Sequence, residues 1–291
     1  MSQVPAWAKR HISMRKVKDR IFVFLCLGAT LIGIFLLVLL LVGIWRSGGS
    51  RLNLAFLTEF PSRIAAKAGI KSALWGSIWI VVLTGVISVP IGIAAAIYLE
   101  EFNLRKSKLS SFIQLNISNL AGVPSIVYGL LGLAVFVRTL GMGRSLLAGA
   151  CTMSLLILPT LITVSQEALK AVPRSYREGS LALGATQWQT IRRQVLPSAS
   201  GGIFTGIILA LSRAMGETAP LIVVGAVAYV ASVPSKLSDT YTVLPIQIFN
   251  WSSEARKGFA EAAAAAIIVL VGVLLVLNSI AIYLRSRSQK A

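Results

Sequence analysis

Residues 174–197 read RSYREGSLALGATQWQTIRRQVLP, the longest polar interval between two strongly apolar segments in the second half of the chain. Ser175 and Glu178 have the spacing of a capping box, in which each side chain takes an orphan amide of a first helical turn. Leu181, Ala182 and Leu183 carry that helix to Gly184, the residue type that most cheaply adopts the left-handed conformation closing a helix. A second capping box, Thr186 with Gln189, starts another helix through Trp188, Ile191 and Val195. Pro197 has no amide to donate, so it ends or kinks that helix. Two helices joined at Gly184 make a preformed knob that a separate protein could grip. An ordinary amphipathic hairpin between membrane spans would carry the same local signature.

Outward from the knob the chain is membrane-like. Of its 291 residues 56% are hydrophobic and 13% charged, and the mean hydropathy is +0.79, too apolar for a soluble domain. A net charge of +18 would suit nucleic acid if the Lys and Arg residues formed a face. They sit instead in short clusters between long apolar runs, which is the pattern of membrane topology, with lipid rather than nucleic acid as the partner. Cys26 and Cys151 lie inside apolar runs, as packing residues, and the single His11 excludes a His/Cys metal cluster. A phosphate loop is also missing, because Gly69-Ile-Lys71-Ser72 is only a fragment of one. No catalytic residue, cofactor or metal is expected, so any ATP must be hydrolysed on another chain.

The segmentation gives six spans. Residues 1–20 form a basic tail, and 21–45 run without a charge. That is too long for the 7–15-residue apolar region of a cleaved leader, so it reads as a retained first helix; cleavage near Ser47-Gly-Gly-Ser50 is the alternative. Five further spans fall at about 72–98, 111–137, 145–166, 201–231 and 263–284. Counted by alternate loops, 17 Lys and Arg lie on the side of the termini and 10 on the other, which places both termini and the 170–197 loop in the cytoplasm. Pro90, Pro124, Pro159 and Pro220 lie within spans and imply kinked, mutually packed helices. Gly202 and Gly206 read as a packing face. Asn116, Ser118, Asn119, Ser125 and Tyr128 suggest a bundle interior that is not uniformly oily. The outer segment 237–261 alternates aromatic and polar residues, as an interfacial loop or a plug would.

The fifth span carries Arg213 and Glu217, four residues apart, with Pro220 three beyond. One helical turn separates the charges, so they can pair. A charge near the bilayer centre costs roughly 2.5–3.5 kcal/mol, so such residues face a partner or a wet path. A structural ion pair and a substrate-path pair both satisfy this spacing.

Three motifs carry a resemblance. The 174–197 loop is similar to the EAA coupling motif of bacterial ABC importer membrane subunits, with Glu178, Gly184, Leu196 and Pro197 in register; Gly179 and Ser180 replace the two alanines and Gln194 the isoleucine. Arg-Ala-Met-Gly-Glu-Thr-Ala-Pro at 213–220 and Asn-Leu-Ala-Gly-Val-Pro-Ser-Ile-Val-Tyr-Gly at 119–129 resemble segments of the phosphate importer's membrane subunits, PstA type. The resemblance covers about residues 70–285. It implies an all-α membrane protein with six transmembrane helices and the type I ABC importer permease fold, lying in the inner membrane. As partners it implies a second, related permease, two ATP-binding subunits and an extracytoplasmic phosphate-binding protein. On this reading Arg213 and Glu217 line the substrate path and the 170–197 loop couples it to the ATPase. An importer for sulfate or molybdate, or a secondary transporter using Arg213 and Glu217, would be the alternatives.

Overall fold

The computed structural model describes residues 6–102, 108–227 and 229–288. Residues 1–5 of the basic tail lie outside them, as do Arg105, Lys106 and Lys290 of the charge count. The described residues are helical, with no strand. In chain order the helices are α1 (Ala6–Gly48), α2 (Leu54–Thr58), α3 (Lys71–Ile97), α4 (Lys108–Ala121), α5 (Ser125–Gly132), α6 (Leu146–Lys170), α7 (Arg174–Ala182), α8 (Gln187–Thr190), α9 (Leu196–Gly216), α10 (Ala219–Val224), α11 (Leu244–Ser252) and α12 (Lys257–Ser288). Turns of π helix extend α3 at Tyr98–Phe102, extend α5 at Leu133–Thr139 and join α8 to α9 at Ile191–Val195.

Among the described residues five stretches are long and apolar enough to cross a membrane: Lys18–Arg51, Lys71–Phe102, Leu146–Lys170, Gln187–Gly216 and Gly258–Tyr283. The sixth is a pair, Lys108–Ala121 and Ser125–Thr139, bent by 105°. Expected as one kinked helix over 111–137, it is broken, because Pro124 lacks an amide and its ring excludes the carbonyl four residues back. That carbonyl, on Leu120, is taken up by the Val123 amide at 3.1 Å and by the Tyr128 hydroxyl at 2.8 Å. Pro90 and Pro159 stay inside their helices, as expected. Pro220 does not: the fifth span stops at Gly216, the residue whose carbonyl the Pro220 ring would strike, and α10 starts afresh.

Helix α3 lies against α6, and α6 against α9. Gly202 and Gly206 form the expected packing face, where a Cβ on Gly202 would stand 2.7 Å from the Ala168 Cβ and one on Gly206 would meet Val164. A central core gathers Ile80, Met153, Ile157, Ala210, Leu221 and Tyr241. A second core, on the α1–α12 side, centres on Trp251 between Phe56 and Phe259, with ring centroids 6.1 and 6.4 Å apart.

The middle of the 237–261 segment, residues 241–247, is packed inside the bundle, while Leu237 and Phe249 stay exposed. Tyr241, Leu244 and Gln247 are buried, and the Leu244 amide donates to Ser77 Oγ at 2.8 Å inside the bundle. The Leu146 and Leu147 amides at the start of α6 donate to the Asp239 and Leu237 carbonyls. Irregular backbone at membrane depth is tolerated where protein rather than lipid surrounds it. Gly76 and Gly149 supply the room, since a Cβ on either would strike the Thr242 carbonyl or the Tyr241 ring.

Candidate functional site

Two places combine polar chemistry with exposure. The first is the 174–197 knob. Helix α7 starts two residues earlier than the Ser175–Glu178 capping box requires, with Pro173 at the cap and no side-chain bond to it. Proline at the boundary presets the backbone, so that capping box does not form. Glu178 stays exposed. Gly184 closes the helix as expected: its φ is +84°, its amide donates to the Leu181 carbonyl at 3.0 Å, and the Ala185 amide donates to the Ser180 carbonyl at 3.2 Å. This is the paired bonding of a Schellman turn. The Thr186–Gln189 capping box is present with both of its bonds.

Pro197 does not end the second helix. It sits in the first turn of α9, and the chain runs on as one helix over Gln187–Gly216 through the π turn at Ile191–Val195. The second half of the knob is therefore the near end of a span, and a force on α8 bears directly on α9. Leu196 packs on the core formed by Ile97, Ile162, Leu169, Ile191 and Val195, whereas Pro197 is exposed.

Helix α7 has two faces. Outward, Ser175, Tyr176, Gly179 and Leu183 line a groove of about 410 Å³ with Gln189 and Arg193 opposite. Leu183 is an apolar side chain left 91% exposed. Inward, Ser180 Oγ meets Thr190 Oγ1 at 2.9 Å, tying α7 to α8. Beside it Arg177 makes a two-pronged bond to Glu101, Nε to Oε2 at 3.0 Å and Nη2 to Oε1 at 2.5 Å. Its remaining N–H groups reach the Val172 and Leu169 carbonyls at 2.7 and 2.9 Å. Neither Arg177 nor Glu101 stood out in the sequence, because 76 residues separate them. The available signal was a pair of acids, Glu100 and Glu101, at the end of an apolar run and on the side of the basic loop.

The second place is the break in the fifth span. Arg213 Nε lies 3.5 Å from Glu217 Oε1, so the expected pair forms. It does not rest on a helical turn: the helix ends at Gly216, and Glu217 is extended with φ −76° and ψ 129°. The Arg213 side chain is 54% exposed and that of Glu217 20%. One turn before it, Ser212 Oγ donates to Asn278 Oδ1 on α12 at 2.5 Å. The two motifs of the sequence meet here. Gly129 on α5 packs against α10, where an added Cβ would stand 2.8 Å from Pro220 Cα and 3.0 Å from its carbonyl oxygen. Both broken helices thus touch, beside the charge pair. Of the polar residues expected to give the third span a less oily interior, Tyr128 is buried, whereas Asn116, Ser118 and Asn119 are exposed, Asn116 bonding back to the Phe112 carbonyl at 2.7 Å; an amide pair that the sequence did not single out, Gln114–Gln166, joins α4 to α6 at 2.9 and 3.2 Å.

The described residues hold no group of three or more His, Cys, Asp or Glu side chains suited to a metal. The arrangement places a groove with an exposed apolar rim at one end of the chain and an ion pair at a broken helix.

Comparison with known proteins agrees with this arrangement. Residues 88–290 match the family described as binding-protein-dependent transport system inner membrane component. A phosphate transport system permease protein PstA of Yersinia pestis is 34% identical over 278 residues, 94% of this chain and 92% of its own. A probable ABC transporter permease protein, YqgI of Bacillus subtilis, is 35% identical over 214 residues, covering 72% of this chain and 70% of its own. Among solved structures, a bacterial alginate ABC transporter superposes with a TM-score of 0.69 over 95% of this chain and 98% of its own, at 15% identity. The inward-facing MetNI methionine ABC transporter gives 0.64 over 74% and 94%, at 17% identity. At these identities the structures speak for the fold, that of a type I ABC importer permease, and not for the substrate. The chain belongs to the family of binding-protein-dependent transport system inner membrane components, multi-pass transport subunits of ABC importers.

Proposed function

We propose that this chain is a permease subunit of an ATP-driven phosphate importer, forming half of the translocation path and coupling it to a separate ATPase. The observation that carries the reading is a half-exposed guanidinium at a helix break inside a permease fold. Phosphate needs compensating positive charge on its way through lipid. The relative named for phosphate transport, aligned over nearly the full length, supports that substrate. Residues 70–285 would be the permease domain and 21–45 an added span, with residues 1–20 and the 170–197 loop in the cytoplasm. Partners would be a second, related permease, two ATP-binding subunits and an extracytoplasmic phosphate-binding protein, with no bond made or broken on this chain. Uptake by the reconstituted complex should be suppressed by excess unlabelled phosphate and not by sulfate or molybdate; the reverse result would reassign the substrate. Uptake that survives ATP depletion would mark an ion-coupled carrier instead.

The outward groove of α7, with Leu183 and Tyr176 at its rim, is the surface offered to the ATPase. Gly184 sets the groove's shape through its positive φ, and nothing lies within 4 Å of where its Cβ would be, so a substitution there acts through backbone strain alone. Holding a β-branched residue in this region costs about 1–3 kcal/mol. Gly184→Val is expected to leave the chain in the membrane but reduce ATPase co-purification and uptake together, by at least about fivefold. Gly184→Asn, which tolerates the left-handed region, should retain most of both. Wild-type uptake in the Val variant would sink this assignment. Labelling of Leu183→Cys by an impermeant thiol reagent from outside the cell would overturn the cytoplasmic placement of the loop.

A further inference from the structure

Below the groove, α7 is fastened to the bundle through one residue of α3's π-helical end. The Glu101 side chain is 7% exposed and takes the two-pronged bond from Arg177, itself 22% exposed. The Glu101 backbone carbonyl accepts from Gln187 Nε2 at 2.6 Å. Both helices of the knob therefore hold Glu101, α7 by charge and α8 by an amide. Arg177 also reaches the carbonyls of Leu169, in the last turn of α6, and Val172, just past its end. Four elements meet at the two residues Arg177 and Glu101: the π-helical end of α3, α6, α7 and, through the Glu101 backbone carbonyl, α8. A planar guanidinium can span them because its N–H groups diverge in a fixed fork, which a Lys ammonium cannot imitate. Turns of π helix flank the node on both strands of the connection, at Tyr98–Phe102 and Ile191–Val195, a geometry frequent where helices carry function.

We infer that the Glu101–Arg177 pair is a positioning latch, holding α7 rigidly to the loop-side ends of α3 and α6 so that a displacement of α7 by the ATPase moves those spans with it. The inference rests on the reading of α7 as the ATPase dock. Without the latch, α7 would still present Tyr176, Gly179 and Leu183 to the ATPase, but it could rock on its Ser180–Thr190 contact and spend the motion locally. A buried pair of this kind also contributes to folding, so abundance alone does not distinguish the two roles. The ratio of transport to hydrolysis does.

The test uses the assembled complex with its ATPase and binding protein, reconstituted in vesicles, with Glu101→Gln and Arg177→Lys compared with the parent. Each carries Ala182→Cys for cross-linking to the ATPase, an exposed position beside the groove that does not line it. With the latch opened, the cross-link and ATP hydrolysis should persist while phosphate taken up per ATP hydrolysed falls about tenfold. The charge exchange Glu101→Arg with Arg177→Glu should restore part of that ratio. An unchanged ratio with an intact cross-link would overturn the latch and leave the dock standing. Absence of the cross-link even in the latch-intact background would instead overturn the dock. Loss of the chain from the membrane in both variants, not restored by the exchange, would make the pair a folding contact and overturn the latch as well.

Discussion

Replacing Arg213 by Gln is expected to lower phosphate uptake on the order of 100-fold while the complex assembles at normal levels. The pair with Glu217 spans 3.5 Å, and Arg213 is half exposed. For two unit charges about 4 Å apart the interaction is roughly 4 kcal/mol at an effective dielectric near 20, and exposed pairs are worth only about 0–1 kcal/mol. On the proposed substrate path the interaction would lie between these limits, strong enough to park the guanidinium and weak enough for a passing anion to replace Glu217. A bare Arg would bind the anion and release it slowly, so on this proposal Glu217 would act as the competitor that frees it. The broken helix suits this exchange: Arg213 rides on the rigid end of α9, while Glu217 lies on extended backbone past the helix. A pair serving only the fold behaves differently, because removing one partner strands a charge and removing both relieves it. Arg213→Gln combined with Glu217→Gln decides the matter when assayed for membrane abundance and uptake together. Normal abundance without uptake supports the path; recovered uptake would assign both charges to folding.

Gly129→Val is expected to have the second large effect, this time on the protein's existence in the membrane. The added Cβ would stand 2.8 Å from Pro220 Cα and 3.0 Å from Val223 Cβ, and backbone at a helix start cannot swing aside as a long side chain can. The contact joins two broken segments, neither of which has a continuous helix to hold it. Overpacking typically costs about 1–3 kcal/mol and more where backbone must shift, so immunoblotted membrane abundance should fall about fivefold or further. Gly129→Ala should already be impaired, since the clash begins at Cβ. Gly216→Ala, close by at the end of α9 but with open space around it, should accumulate normally. Normal abundance of Gly129→Val would mean that α5 and α10 do not depend on their close approach.

The different origins of these features explain which of them could be read from the chain. Local signals were legible. The apolar runs locate the long helices, because a membrane span must be about 20 apolar residues whatever packs beside it. The Gly184 turn and the Thr186–Gln189 capping box follow from atoms within one turn. Arg213 and Glu217 are close enough in sequence to pair under either backbone geometry. Sequence alone therefore determined a helical membrane chain with a two-helix knob and one charged span.

Tertiary structure decided what depends on distant groups. The prolines looked alike in sequence, yet Pro90 and Pro159 remain inside helices while Pro124 and Pro220 mark breaks, and at the first break the freed Leu120 carbonyl is taken up by Tyr128, eight residues on. Pro197 left the helix running on, where local rules stopped it, through a π turn. The 237–261 segment looked interfacial because its aromatic and polar residues alternate, but Gly76 and Gly149, more than 70 residues apart, open the space that buries its 241–247 stretch. The Glu101–Arg177 node is the clearest case. Its partners are 76 residues apart, and no local spacing rule joins them, since only the packing of α3 against α6 brings the end of one span under the helix that follows the other.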